Sequence, residues 1–214
     1  MNLHPTPNQK LRRWEAALMA GLALSLLLGV WLDGQQHALA DKVIRLHVIA
    51  NSDSAADQAL KLEVRDRILA EAADLFQSGC TVDQAAAALT AQLPDLALAG
   101  REVVAREGYS YPVTASLEDN VWFPTKTYPG FALPQGSYTA LRVVIGDGAG
   151  RNWWCVVFPP LCLGSVTETV ADASALGELD GDDVALITGD SGEYVLKFKA
   201  IELWEQFKGW AEGR

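Results

Sequence analysis

Three side chains in this chain could form a nucleophilic set: Cys155 as the thiol, His47 as its base and Asn51 to orient the imidazole. Such a thiol must ionise, which happens at an exposed helix N-terminus or beside a cation. Cys155 instead lies in the middle of NWWCVVF, next to two tryptophans, the setting of an inert buried thiol. A hydrolase using Cys155 and His47 therefore stands as an alternative reading. Metal chemistry has less to work with, since the chain has three histidines, one of them at position 4, and neither HExxH nor CxxC. Asp180-Gly181-Asp182-Asp183 lacks the alternate-residue spacing and closing Glu of a calcium loop. Gly146-Asp147-Gly148-Ala149-Gly150 lacks GxGxxG spacing and precedes a strand, so it reads as a turn and not as a phosphate cradle. No catalytic residue, metal or cofactor is expected.

A binding surface is better supported. In VIRLHVIA, residues 43–50, Ile44, Leu46, Val48 and Ala50 form an apolar face, while Arg45 and His47 share the other. Asn51-Ser52-Asp53-Ser54 then starts a helix, with Ser54 and Asp57 at capping-box spacing, and the polar side of that helix shows Lys61, Arg65 and Asp66. The candidate partner-binding residues are Arg45, His47, Asn51, Asp53, Lys61 and Arg65, with Asn152 and Trp153 or Trp154, because arginine and tryptophan are common anchors of interfaces. A wall-binding module using the tryptophans is a further alternative.

The elements that must position these residues follow from periodicity. Leu141 to Cys162 reads as a β-hairpin: an alternating strand, a glycine-rich turn, and a return strand, Asn152 to Phe158, that is apolar on both faces and so expected to be central. Leu60, Val64, Ile68, Ala72 and Leu75 recur at helical spacing over 55–77, with Gly79 as the stop. A second helix follows Thr81, where Gln84 completes a capping box, and Pro94 should end it; residues 96–107 fit neither period. Residues 109–117 alternate as an edge strand, and 121–128 form a short strand before the Pro129-Gly130 turn. The acidic stretch 165–190 reads as a solvated loop, and 193–210 as a helix whose start is also compatible with a strand. The expected fold is α+β: a mixed or antiparallel sheet of about four to five strands with a central hairpin, packed by two to four helices.

Before that domain, Lys10, Arg12 and Arg13 precede an uncharged run, Ala16 to Leu32, and Ala38-Leu39-Ala40 offers a small-residue cleavage site. Residues 1–40 are expected to be a signal peptide or membrane anchor, and 41–214 a single exported domain, touching the membrane only through 16–32 if uncleaved. Setting aside Lys10, Arg12, Arg13, Glu15 and Asp33 leaves 14 basic and 25 acidic side chains, a net charge of −11. That argues against nucleic acid as a partner. Three cysteines leave at least one thiol over in an exported chain; Cys155 with Cys162 is one pairing, and a reduced, buried Cys155 is the other reading.

IRLHVIANSDSAADQALKLEVRDRIL (44–69), FPTKTY (123–128) and LPQGSYTALRVVIGDGAGRNWWCVVFPPLC (133–162) resemble stage II sporulation protein R of endospore-forming bacteria. The resemblance covers essentially the exported part, with no matching motif in 78–108 or 165–190. It implies an exported intercompartmental signal, made in the forespore and released between the two membranes. There it would meet the extracytoplasmic face of a membrane-embedded aspartic protease of the mother cell, which processes pro-sigma-E. On that resemblance the chain is an activator and not an enzyme.

Overall fold

The computed structural model describes residues 7–76, 80–128 and 131–161. The helix α1, Pro7–Ala40, leads through a turn at Asp41 and Lys42 into strand β1, Ile44–Ile49. Two helices follow, α2 at Ala55–Ala73 and α3 at Val82–Arg106. Then come β2 (Val113–Phe123), β3 (Lys126–Tyr128), β4 (Phe131–Leu133), β5 (Gly136–Ile145) and β6 (Asn152–Phe158). The fold is mixed α+β, with a four-stranded mixed sheet in the order β2-β5-β1-β6 and a small sheet of β3 and β4.

The sheet corrects the expected hairpin. Strand β5 runs parallel to β1 and β6 antiparallel to it, so β1 lies between the two segments that the sequence pattern joins. Strand β6 is consequently at the edge of the described sheet and not central. The turn from 146 to 151 has to step over one strand, about 10 Å instead of one 4.8 Å spacing, and it arches across the exit of β1. The two apolar faces of β6 still have a cause: Cys155 and Val157 join the core under the helices, and Val156 joins a second cluster on the opposite face.

The helices form for local reasons and stay for tertiary ones. Ser54 caps α2 by accepting from Asp57 N at 3.1 Å, and Thr81 with Gln84 makes a complete capping box on α3. Pro94, expected to end the second helix, lies inside α3. Its ring faces solvent, while Ala85, Leu89, Leu96, Gly100 and Val103 keep one buried stripe before and after it; that burial outweighs the lost backbone bond. Residues 96–107 are therefore helical. The two expected strands at 109–117 and 121–128 are also redrawn: β2 runs from Val113 to Phe123 with an irregularity between Glu118 and Val121, and Lys126–Tyr128 is the separate β3.

Leu60, Val64 and Ile68 of α2 and Leu89, Leu96 and Val103 of α3 close over Ile44, Leu46, Val48, Leu141, Val143 and Ile145. Each such side chain contributes about 1.5–3 kcal/mol when fully buried. The other sheet face carries a smaller cluster of Leu39, Ala40, Val43, Phe123, Leu133, Tyr138, Ala140, Val156 and Leu161. Among the described residues no helix is long and apolar enough to cross a membrane, so the expected anchor is not seen there. The expected turn at 129–130, the stop at Gly79, the acidic stretch 165–190, the last helix at 193–210 and Cys162 lie outside the described residues.

Candidate functional site

The two longest motifs of the chain meet at the exit of β1. Ala149 N donates to Asn51 O at 3.1 Å and Gly150 N to Ala50 O at 2.9 Å. The Asn51 side chain accepts from Asp147 N at 3.0 Å, and the Asp53 carboxylate accepts from Arg151 N at 2.7 Å. A Cβ on Gly146 would collide with the Asn51 side chain, and one on Gly150 with the Ser52 carbonyl. Those two glycines thus allow the turn to lie against the corner, Gly146 at a φ of 58° as well.

Behind the corner sits a buried polar group, Asp57. Its carboxylate accepts from Ser52 Oγ at 2.5 Å and Asn51 Nδ2 at 2.9 Å, and these bonds hold it below the usual carboxylate range. Asn51 therefore serves both sides of the corner, Nδ2 toward the helix and Oδ1 toward the turn. Lys61 is also buried and reaches across to the turn, donating to Gln58 Oε1 at 2.6 Å and Arg151 O at 3.0 Å. Burial, then the charge of Arg151, push its ammonium below the ordinary lysine value.

The expected binding residues divide between the two faces of the sheet. Arg45, expected at a docking surface, is fully buried on the face away from the helices. Its Nε donates to Cys155 O at 3.0 Å and its Nη2 to Tyr128 Oη at 3.3 Å. The guanidinium carbon lies 4.4 Å from the Phe123 ring centre and 5.0 Å from that of Tyr138. Burial raises Tyr138 to about 12 against the pull of Arg45, and its hydroxyl donates to Pro134 O.

His47, one step along the same face, is half-buried with Nε2 3.0 Å from Asn152 Oδ1. Trp154 stands beside it, ring centres 6.2 Å apart, with Lys126 Nζ 5.3 Å above the indole. Arg142 and Glu118, which sequence reading did not single out, complete this patch as a 3.4 Å ion pair. They occupy the same face of β5 and β2, a placement visible only once register is known, with Ser116 opposite Arg142 and donating to Glu118 Oε1 at 2.8 Å. Burial depresses His47 below the ordinary histidine value, opposed by the bond to Asn152. The imidazole is thus biased to the neutral form that hydrogen-bonds without a charge.

Trp153 and Arg65 belong to the helix side. The Arg65 guanidinium lies 4.4 Å from the Trp153 ring centre, and Arg65 also pairs with Asp66 at 2.6 Å. Asp53 is exposed at the corner, 3.5 Å from Arg151 Nε. Asn51, Asp53, Lys61 and the turn are therefore brought together, His47, Asn152 and Trp154 form a second group, and Arg45 lies beneath it.

The nucleophilic alternative is not assembled. Cys155 pairs in register with Leu46 and packs under the helices, whereas His47 pairs with Trp154 and faces the other way. Cys155 is moreover disulfide-bonded, and Cys80 is free. Among the described residues no group of three or more His, Cys, Asp or Glu could hold a metal ion.

The family model for stage II sporulation protein R matches residues 40–168, which contain β1 to β6, the corner and the His47 patch. A curated protein called stage II sporulation protein R from Bacillus subtilis (strain 168) is 35% identical over 130 residues, 61% of this chain and 58% of that protein. The match thus spans less than two thirds of the relative's length. No solved structure matches this chain. With the family model covering more than half of the sequence, and both of its long motifs locked together at one corner, the chain belongs to the stage II sporulation protein R family.

Proposed function

We propose that this chain is an exported signalling protein of sporulation that activates a membrane-embedded aspartic protease, which then processes pro-sigma-E. The observation that carries the reading is the family match over residues 40–168, which gives the general sporulation role. Export is supported by Lys10, Arg12 and Arg13 ahead of an uncharged run, by the disulfide at Cys155, and by the large apolar side chains that α1 exposes from Trp14 to Val30. The space between forespore and mother-cell membranes is where such a signal would act. The partner is the extracytoplasmic face of the protease, and the chain supplies shape and polar contacts, not chemistry.

In this reading the docking patch is His47, Asn152 and Trp154 with Arg142 and Glu118, continued at the corner by Asp53 and Arg151. Arg45 and Lys61 hold that surface from below. The test is co-expression of the full chain with a sigma-E-processing protease and its pro-factor in a non-sporulating host, scored by cleavage of the pro-factor. Cleavage should require this chain and should be lost on joint replacement of Asn152 and Arg142 by Glu in a protein that still folds. Undiminished cleavage by that variant would remove the patch from the reading, and cleavage independent of the chain would remove the function.

A further inference from the structure

The small-residue site Ala38-Leu39-Ala40 has a structural consequence of its own. Leu39 is 0% and Ala40 7% exposed, in a helix that continues to Ala40. Both belong to the cluster with Phe123, Leu133, Tyr138 and Val156, on the sheet face opposite α2 and α3. Lys42 N donates to Leu39 O at 3.1 Å, so the chain turns immediately after the helix and enters β1. A processing protease reads the side chains before the bond it cuts and needs them extended and accessible. Here Leu39 and Ala40 are helical and enclosed.

We infer that the Ala40–Asp41 bond closes to processing once the domain has folded, so that α1 remains joined to the domain and Leu39 is one of its core side chains. The last turn of the N-terminal helix is then structural, and removal after Ala40 would take a fully buried leucine out of the second cluster. Opening the bond requires local unfolding of that cluster, which makes the cleavage rate a readout of its packing.

The experiment uses the purified full chain in detergent with a purified type I signal peptidase, following intact mass and the N-terminal residue. Wild type should stay whole. Leu39→Ser, whose small side chain a signal peptidase tolerates, should be cut after Ala40 about tenfold faster or more. Leu133→Ala, which leaves the sequence around the bond unaltered and loosens the cluster from the sheet side, should also be cut faster. Leu22→Ser, at an exposed position of α1, should behave as wild type. Wild type cut as fast as Leu39→Ser overturns the inference, because the folded core then offers no protection. So does a set in which none of the four proteins is cut, because packing is then not what guards the bond.

Discussion

The two faces of the sheet have opposite logic although the same strands build both. Under α2 and α3, β1 contributes Ile44, Leu46 and Val48, and β5 contributes Leu141, Val143 and Ile145. On the other side the same two strands contribute Arg45 and His47, and Ala140 and Arg142. The first face is covered by helices, and an unpaired polar group there would cost its full desolvation. Among the described residues the second is covered at one end only, by the cluster around Phe123 and Leu39, and its polar residues gather where that cover stops. Arg45 marks the boundary: enclosed, it relies on two aromatic rings and two oxygen acceptors, with no carboxylate among the described residues. A face open to solvent can keep a histidine, an ion pair and a tryptophan for a partner, and a closed face cannot.

Substitutions that separate the two faces differ in size. Leu46→Ala on the helix side should cost about 2–5 kcal/mol in denaturant unfolding, since it leaves a cavity in a closed core. Arg45→Ala should cost less, about 2 kcal/mol, through lost ring stacking and the lost bond to the Cys155 carbonyl, although it removes a charge from the interior. If Arg45→Ala is instead neutral, Arg45 is not the support of the open face.

At the corner, Asp57→Asn should cost about 1–2 kcal/mol. Because Ser52 and Asn51 depress this carboxyl below its ordinary 3.8, its contribution is complete above that pH and is lost as pH falls through the lowered value. Acid unfolding of Asp57→Asn followed by circular dichroism should therefore lack that part of the decline. An unchanged acid limb would show that another group carries it.

The smallest stability effects belong to the open patch. His47→Gln and Asn152→Ala should each change unfolding by less than about 0.5 kcal/mol. Processing of pro-sigma-E in the co-expression assay should fall with both. Destabilisation comparable to Leu46→Ala would instead place these residues in the architecture and not at a docking surface.

Much of this was legible along the chain. The faces of β1 follow from alternation, and the caps of α2 and α3 from Ser54 and from Thr81 with Gln84. What misled was locality. The glycine-rich turn looked like the tip of a hairpin because nothing between 141 and 162 shows that a strand from residues 44–49 will enter between its arms. Pro94 looked like a stop because a lost backbone bond is visible locally, whereas the buried stripe that offsets it becomes evident only against the sheet. Arg45 looked like a surface residue because charge favours exposure, and the rings that enclose it lie at positions 123 and 138.

The amino-acid sequence by itself determined the family, the alternation of β1 and the starts of α2 and α3. These depend on residues a few positions apart, whose interactions any local window contains. Only the tertiary structure decided the strand order, the enclosure of Arg45 and Leu39, and the joining of His47, Asn152, Arg142 and Glu118 on one open face. The physical reason is register: pairing of β1 with β5 and β6 brings together side chains about a hundred positions apart, and a slip of one residue would send every one of them to the other side.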